Sequence, residues 1–285
     1  MSMKELLEVA DQHGFAVGAF NATESCLFRA VVEEAERLNA PAIIQVSPGE
    51  FNFATKEFYT YVRERCANSK VPFALHLDHG KTLKEILSAI QAGFTSVMID
   101  GSLLPYEENV ALCRQVVDLA HEVGVSVEGE IGTIGVMNNS DEGGVDNVTY
   151  TKPEEVVDFV SKTGVDALAI AIGTAHGIYP KGYVPKLQLE LLKEIKAVAP
   201  VPLVLHGGSN NPDDEIAEAC RIGVAKINIS SDFKSAYFSK VSEVIAETGG
   251  FVPAKVLGPA IEAAKQVIAQ KMELFGSVNK ADLYK

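Results

Sequence analysis

Leu75-His76-Leu77-Asp78-His79-Gly80 carries an apolar run, begun at Val71, straight into a carboxylate, an imidazole and a glycine. The run predicts a buried strand over 71–79. Aspartate is disfavoured in strands, and burying it unpaired costs free energy, so a strand that ends on Asp78-His79 needs a reason. A helix-capping aspartate beside a hydrogen-bonded histidine would be one, since Asp is a favoured N-cap. Two further stretches suggest another. Ala167–Gly177 (ALAIAIGTAHG) and Val201–Ser209 (VPLVLHGGS) also set a histidine and then a glycine behind an apolar strand. Three strands that each deliver one histidine to the same end predict one shared site.

The flanking sequence alternates strands with helices. An opening helix covers Leu6–Ala10, and Val17–Ala22 is the first strand. Ala30, Val31, Ala35 and Leu38 recur at helical spacing. Strand Pro41–Ser47 and helix 56–69 lead into 71–79. Thr82 caps helix 83–92 and Gly93 ends it. Strand Ser96–Gly101 follows, then helix 106–123 with Pro105 before it and Gly124 after. Strand Val125–Gly132 and helix 154–162 come next. Strands 167–174 and 201–206 bracket helix 187–198. Helix Asp213–Arg221, strand 225–230 and helices 232–247 and 257–275 complete the chain. Eight short, continuously apolar strands suit a parallel sheet buried on both faces. In a chain of 285 residues they predict an α/β TIM (β/α)8 barrel, one domain over 1–285, with a short N-terminal helix and a C-terminal helical extension. A doubly wound open sheet is the alternative; the strand count and the lack of GxGxxG after the first strand disfavour it.

The net charge of −13 makes nucleic acid and anionic membranes poor partners. No apolar run approaches the ~18 residues of a membrane span. The four cysteines, Cys26, Cys66, Cys113 and Cys220, show no CxxC spacing and predict reduced thiols in a cytoplasmic protein. An anionic substrate would need a local positive feature to hold it.

In a TIM barrel the active site lies at the C-terminal strand ends. Those ends offer Asn21, Gln45, Asp78, His79, Asp100, Glu128, Glu130, His176, His206 and Asn228. Three histidines around an open position form the ligand set of a catalytic zinc. Taken singly, His176 or His206 reads equally well as a hydrogen-bonded structural histidine. His13 and His121 fall at helix ends, and His76, inside its strand, is placed behind the ligands. Gly207-Gly208-Ser209 and Asn228-Ile229-Ser230-Ser231 precede helices where this fold commonly holds phosphate, although Gly-rich turns with a serine cap look the same. The acidic, glycine-rich loop Ile134–Tyr150 suits a lid that could deliver Glu142 as an acid/base, or a solvated charge run.

The segments LHLDHG, GFTSVMIDGS, VSVEGEIG, AIAIGTAHG, PLVLHGGS and AKINISSD, with the tail Phe275-Gly276-Ser277-Val278-Asn279-Lys280, resemble the class II, zinc-dependent ketose-bisphosphate aldolases along nearly the whole chain. The resemblance implies reversible cleavage of a fructose- or tagatose-type bisphosphate to dihydroxyacetone phosphate and an aldehyde through a metal-stabilised enediolate. It makes Asp78 the proton donor or acceptor on the substrate hydroxyl. It makes His79, His176 and His206 the zinc ligands, with Asp100 and Glu130 beside the metal or holding it in an alternative position. Gly177 and the segments Gly207–Ser209 and Asn228–Ser231 would bind dihydroxyacetone phosphate. A monovalent cation (Na+ or K+) near that phosphate, and a homodimer or homotetramer, are also implied. The chemistry agrees. Lewis acidity makes an enediolate tolerable, and a carboxylate near the C4 hydroxyl takes its proton. A Schiff-base lysine is not needed; Lys226, inside the last strand, is the one rival.

Two departures stand out. The family's lid carries Gly-Gly-x-Glu-Asp, whereas Gly135 is followed here by Val136-Met137-Asn138-Asn139-Ser140, which leaves Glu142 or Asp141 as stand-ins. The family arginine that grips the distal phosphate of a neighbouring subunit's substrate falls at Ala254. Lys255 beside it does not replace a bidentate fork. Competing functions are a ketose 1-phosphate aldolase taking unphosphorylated aldehydes, a metal-dependent sugar-phosphate isomerase or epimerase, and a non-catalytic aldolase subunit. The intact Asp78 and histidines disfavour the last.

Overall fold

The computed structural model describes all residues except 138–143, 146, 147, 178 and 181. Among the described residues ten strands are formed: β1 Val17–Asn21, β2 Ala42–Val46, β3 Phe73–Gly80, β4 Ser96–Ile99, β5 Ser126–Ile131, β6 Gly135–Val136, β7 Ala167–Ile170, β8 Ala175–His176, β9 Leu203–Leu205 and β10 Val224–Ile229. Eight of them close into an all-parallel barrel in the order β1-β10-β9-β7-β5-β4-β3-β2, while β6 and β8 pair separately. The strand expected over 167–174 is shorter than that, and a separate two-residue strand follows it. Ile170 ends the barrel strand, and His176 arrives on the short β8. A helix not anticipated from the sequence, Pro48–Phe53, follows β2 directly, opened by a reciprocal Ser47–Glu50 capping box.

Alternation along each strand explains both the core and the site, because successive side chains point to opposite faces. On β3, Phe73, Leu75 and Leu77 pack outward against the helices, while Ala74 packs in the barrel interior. On that period His76 and Asp78 continue the inward column above Ala74. On β1 the interior takes Val17 and Ala19 and the outer core takes Phe20; on β9 Val204 points in and Leu203 and Leu205 point out. The inward columns are apolar at the bottom and polar at the top.

The N-terminal helix Met3–His13 closes the bottom. Its buried face, Met3, Leu6, Leu7 and Ala10, joins Ile43, Ala74, Ala169 and Val204 in the interior cluster. Tyr284, near the C-terminus, donates through its hydroxyl to the Leu6 carbonyl at 2.9 Å. The long C-terminal helices Ser231–Thr248 and Pro253–Leu274 pack on each other, and the latter also packs on helix Ser25–Leu38. Among the described residues no helix is long and apolar enough to cross a membrane.

Candidate metal centre and active site

A regular strand cannot turn two consecutive side chains inward, yet Asp78 and His79 both reach the mouth. His79 has φ 50, in the left-handed region. The β3–β4 register slips between Leu77 and Gly80 at this point. The irregularity re-aims His79 so that its Nε2 lies 4.0 Å from Asp78 Oδ1. Such a conformation costs about 1–3 kcal/mol in a residue other than glycine and persists where the surroundings enforce it. A backbone N–H to the Met98 sulfur (3.4 Å) and a ring bond from Nδ1 to Asp100 Oδ2 (3.0 Å) help to do so here.

His176 and His206 are brought together by a close backbone crossing. A Cβ on Gly207 would lie 2.6 Å from the Ala175 carbonyl oxygen, and Gly207 itself has φ 60, so only glycine fits. The three imidazoles then face one another, with ring centroids 4.9 Å (His79–His176), 4.6 Å (His79–His206) and 6.0 Å (His176–His206) apart. One nitrogen from each ring falls within 4.8 Å of the other two. His79 Nε2 and His206 Nδ1 are buried and make no hydrogen bond among the described residues. Their opposite nitrogens are held by carboxylates: Asp100 takes His79 Nδ1, and Glu128 Oε1 takes His206 Nε2 at 2.7 Å. Imidazoles clamped on one side, with the other nitrogen facing a shared point, are the donor set of a metal site, which a metal would bind by displacing any ring proton there. The residues present therefore fit a divalent metal.

The electrostatics suit a cation. Burial alone would depress the His79 pKa, but Asp78, Asp100 and Glu130 outweigh it and push the pKa up to about 10. Burial and then the neighbouring Asp100 charge push Glu130 well above the usual carboxylate range. For Asp100, burial is outweighed by His79 and Ser102, which hold it low. Glu130 stands with His79 and Asp100 in a second grouping of possible ligand atoms within 4.8 Å.

Beneath the histidines lies a buried charged layer. Lys226 Nζ pairs with Glu128 Oε2 at 2.8 Å, both side chains fully buried. His76 Nε2 lies 3.5 Å from the same oxygen, and its Nδ1 contacts Ser96. His76, Asp78 and Glu128 form a third grouping of possible ligand atoms, but Lys226 already supplies the cation there. Sealed in that pair, Lys226 is not placed to form a Schiff base with substrate.

The other side of the mouth is lined by amides. Gln45 Nε2 donates to Asp78 Oδ2 (3.2 Å) and to Asn21 Oδ1 (2.8 Å). Asn228 Nδ2 donates to both Asp78 oxygens, at 3.1 and 3.3 Å. Gln45 and Asn228 thus hold Asp78 in place, and Asn21 in turn accepts from Gln45. The loops after β9 and β10 lie together. Gly208 N–H donates to the Asn228 carbonyl (3.0 Å) and Ser230 N–H to Ser209 Oγ (3.3 Å). Ser230 is the N-cap of the helix from Ser231, and its side chain makes no capping bond. Ile229 turns its side chain into the outer core, so its backbone is what it can offer. Gly177 has φ 98, directly after His176. Glu142 and Asp141 lie outside the described residues. Ala254 and Lys255 stand exposed at the start of helix Pro253–Leu274.

Glu50, on the helix after β2, was missed from the sequence although Ser47-Pro48-Gly49-Glu50 carries the capping-box signature. Its carboxylate accepts from Asn21 Nδ2 at 3.0 Å and pairs with Lys234.

A parallel barrel with three grouped histidines and a buried aspartate at its C-terminal mouth has the form of a metal-dependent enzyme. The profile of class-II fructose-bisphosphate aldolases matches residues 1–280. The fructose-bisphosphate aldolases of Staphylococcus aureus strain Mu50 and Staphylococcus epidermidis strain ATCC 12228 are each 42% identical over 287 residues, covering 99% of this chain and 99% of theirs. Among solved structures, the YdjI aldolase from Escherichia coli K12 superposes with a TM-score of 0.87 at 31% identity, covering 98% of both chains. The fructose-bisphosphate aldolase of Campylobacter jejuni gives 0.81 at 25% identity, covering 98% of this chain and 96% of that one. The chain belongs to the class II fructose-bisphosphate aldolase family.

Proposed function

We propose that this single-domain barrel cleaves a ketose 1,6-bisphosphate, reversibly, to dihydroxyacetone phosphate and an aldehyde. The observation that carries this is the meeting of His79, His176 and His206 around one point, with Asp78 beside them. These three histidines would hold zinc, with Asp100 and Glu130 as further carboxylates at its edge. Zinc supplies Lewis acidity to the part of the substrate that becomes the enediolate.

The chain's own residues do the rest. Asp78, fixed by Gln45 and Asn228, takes the proton of the C4 hydroxyl as the C3–C4 bond breaks and returns it in condensation. A carboxylate gripped by three amide contacts is already aimed, which is the entropic advantage of a positioned base. The turns Gly207–Ser209 and Asn228–Ser231, with Gly177, present backbone N–H groups and a helix N-terminus to the phosphate of dihydroxyacetone phosphate. A sodium or potassium ion would sit near that phosphate, and Glu142 would serve as the lid's acid/base. The protein acts in the cytoplasm as a homodimer or homotetramer.

With Ala254 in place of the family arginine, selectivity for a phosphate at C6 is weakened by about one to two powers of ten, the worth of a lost bidentate contact. A coupled assay for triose phosphate over a panel of phosphorylated ketoses, with metal analysis, tests the proposal. Triose release supports it, and conversion of one ketose into another without triose would make the protein an isomerase or epimerase.

A further inference from the structure

A protein with a net charge of −13 needs a local cation to hold an anionic substrate. The turns given above to the phosphate of dihydroxyacetone phosphate, Gly207–Ser209 and Asn228–Ser231, contain no lysine or arginine. The lysines packed around them therefore decide where the charge comes from. Lys226, two residues before Asn228, is sealed against Glu128 at 2.8 Å. Lys271, from helix Pro253–Leu274, pairs with Asp232 at 2.9 Å, and both side chains are largely buried. That pair neutralises the acidic residue in the first turn of helix Ser231–Thr248, which would otherwise repel an anion at the helix N-terminus.

Lys234 differs from both. It stands one turn into the same helix, and its Nζ reaches back to donate to Ser230 Oγ at 3.0 Å. Ser230 is the N-cap, and its N–H donates to Ser209 Oγ at 3.3 Å. The ammonium thus lies beside the point where the two turns meet. The Lys234 side chain is 23% exposed, so a ligand can reach it. An ammonium has three N–H donors. Among the described residues its partners are Glu50 and Ser230, which leaves one donor to spare.

Glu50 belongs to the other side of the contact. Its Oε2 accepts from Asn21 Nδ2 and from the Ser47 N–H, each at 3.0 Å, and among the described residues it makes no hydrogen bond to the loop after β10. An anion on the free N–H groups at the start of helix Ser231–Thr248 would meet the ammonium before the carboxylate. Attraction to the nearer charge then exceeds repulsion by the farther one.

Building on the aldolase function proposed above, we infer that Lys234 grips the phosphate on C1 of the ketose. Its spare N–H makes a charge-assisted hydrogen bond to that phosphate. Glu50 acts as a positioning residue that holds the ammonium beside the loop after β10.

The test measures the Kd of dihydroxyacetone phosphate, the Ki of inorganic phosphate, and kcat and KM for fructose 1,6-bisphosphate. It uses the metal-loaded full chain and its Lys234→Met, Lys234→Gln and Lys234→Arg variants. The two neutral variants weaken dihydroxyacetone phosphate and inorganic phosphate about 10–100-fold, the worth of one hydrogen bond to a charged group. The same loss appears in KM, while kcat stays within about threefold, as expected when binding common to ground and transition states is removed. Lys234→Arg keeps the charge and recovers most of the affinity. Neutral variants that bind both ligands as tightly as the unsubstituted protein, or that lose kcat at unchanged KM, overturn the inference. A measurement on the unsubstituted protein does not depend on any variant folding: dihydroxyacetone phosphate should slow reductive methylation of Lys234, and modification that ignores it also overturns the inference. Failure of the aldolase proposal would look different, because the unsubstituted protein would then release no dihydroxyacetone phosphate from the ketose.

Discussion

His206 donates from Nε2 to Glu128 Oε1 at 2.7 Å, and Glu128 in turn takes Lys226 on its other oxygen at 2.8 Å. The bond fixes the imidazole in the tautomer whose Nδ1 carries a lone pair toward the other two histidines. An ion pair buried this completely is a costly way to fill a barrel, since desolvation offsets much of its attraction. What the pair does here is aim Glu128, one oxygen held by Lys226 and the other turned to His206.

Glu128→Gln should therefore weaken zinc binding by about 10–100-fold, the usual loss when an orienting partner of a metal histidine is removed. Competition with a chromophoric chelator measures it. A purely structural Glu128 would give a variant that melts earlier but binds zinc with undiminished affinity once folded.

Asp78→Ala should keep zinc and dihydroxyacetone phosphate binding and lose at least ~10²-fold in cleavage rate, as expected for a positioned acid/base. Metal content and single-turnover kinetics on one preparation decide the matter. Loss of the metal along with the activity would make Asp78 a ligand and remove its proton-transfer role.

Borohydride added during turnover should leave activity intact. Lys226, the rival nucleophile inside the barrel, is fully buried and paired with Glu128, so no iminium should form for the reagent to trap. Covalent attachment of substrate to Lys226, seen by mass spectrometry, would contradict this.

The Glu50–Lys234 ion pair should leave a mark on stability. The folded pKa of Glu50 lies below its ordinary value of 4.5. A depressed carboxylate stabilises the fold fully above the unfolded pKa, and that stabilisation is lost as pH falls through the lower folded pKa. Lys234→Met should lower Tm by about 2–4 °C at pH 7, the scale for ~1 kcal/mol in a chain of this size. The gap should narrow in acid below pH 4.5. A gap independent of pH from 7 to 3 would mean that the pair contributes packing but little charge stabilisation.

The barrel was legible because its strands are apolar on both faces and its helices carry clear start and stop signals. Asp78, His79, Asp100 and His206 could be placed because each sits at the end of such a strand. What the sequence hid was geometry that breaks strand periodicity. The left-handed turn at His79 is carried by a residue that ordinarily avoids it, and His176 arrives on the two-residue β8. Asn21, Gln45 and Asn228 were found by position, but the grip of Gln45 and Asn228 on Asp78, with Asn21 behind Gln45, depends on closure of the barrel, which brings β10 and β1 beside each other. Glu50 was missed because it follows the strand end by several residues on a helix only 6 residues long, too short for helical periodicity to announce.

The central claim is that one metal, held by His79, His176 and His206, is required for carbon–carbon cleavage. It is tested most directly by following dihydroxyacetone phosphate released from a ketose 1,6-bisphosphate by protein stripped of metal and then titrated with zinc. The expected result is negligible release when stripped, and full recovery at one zinc per chain. Undiminished cleavage by the stripped protein, or recovery that ignores zinc, would contradict the account.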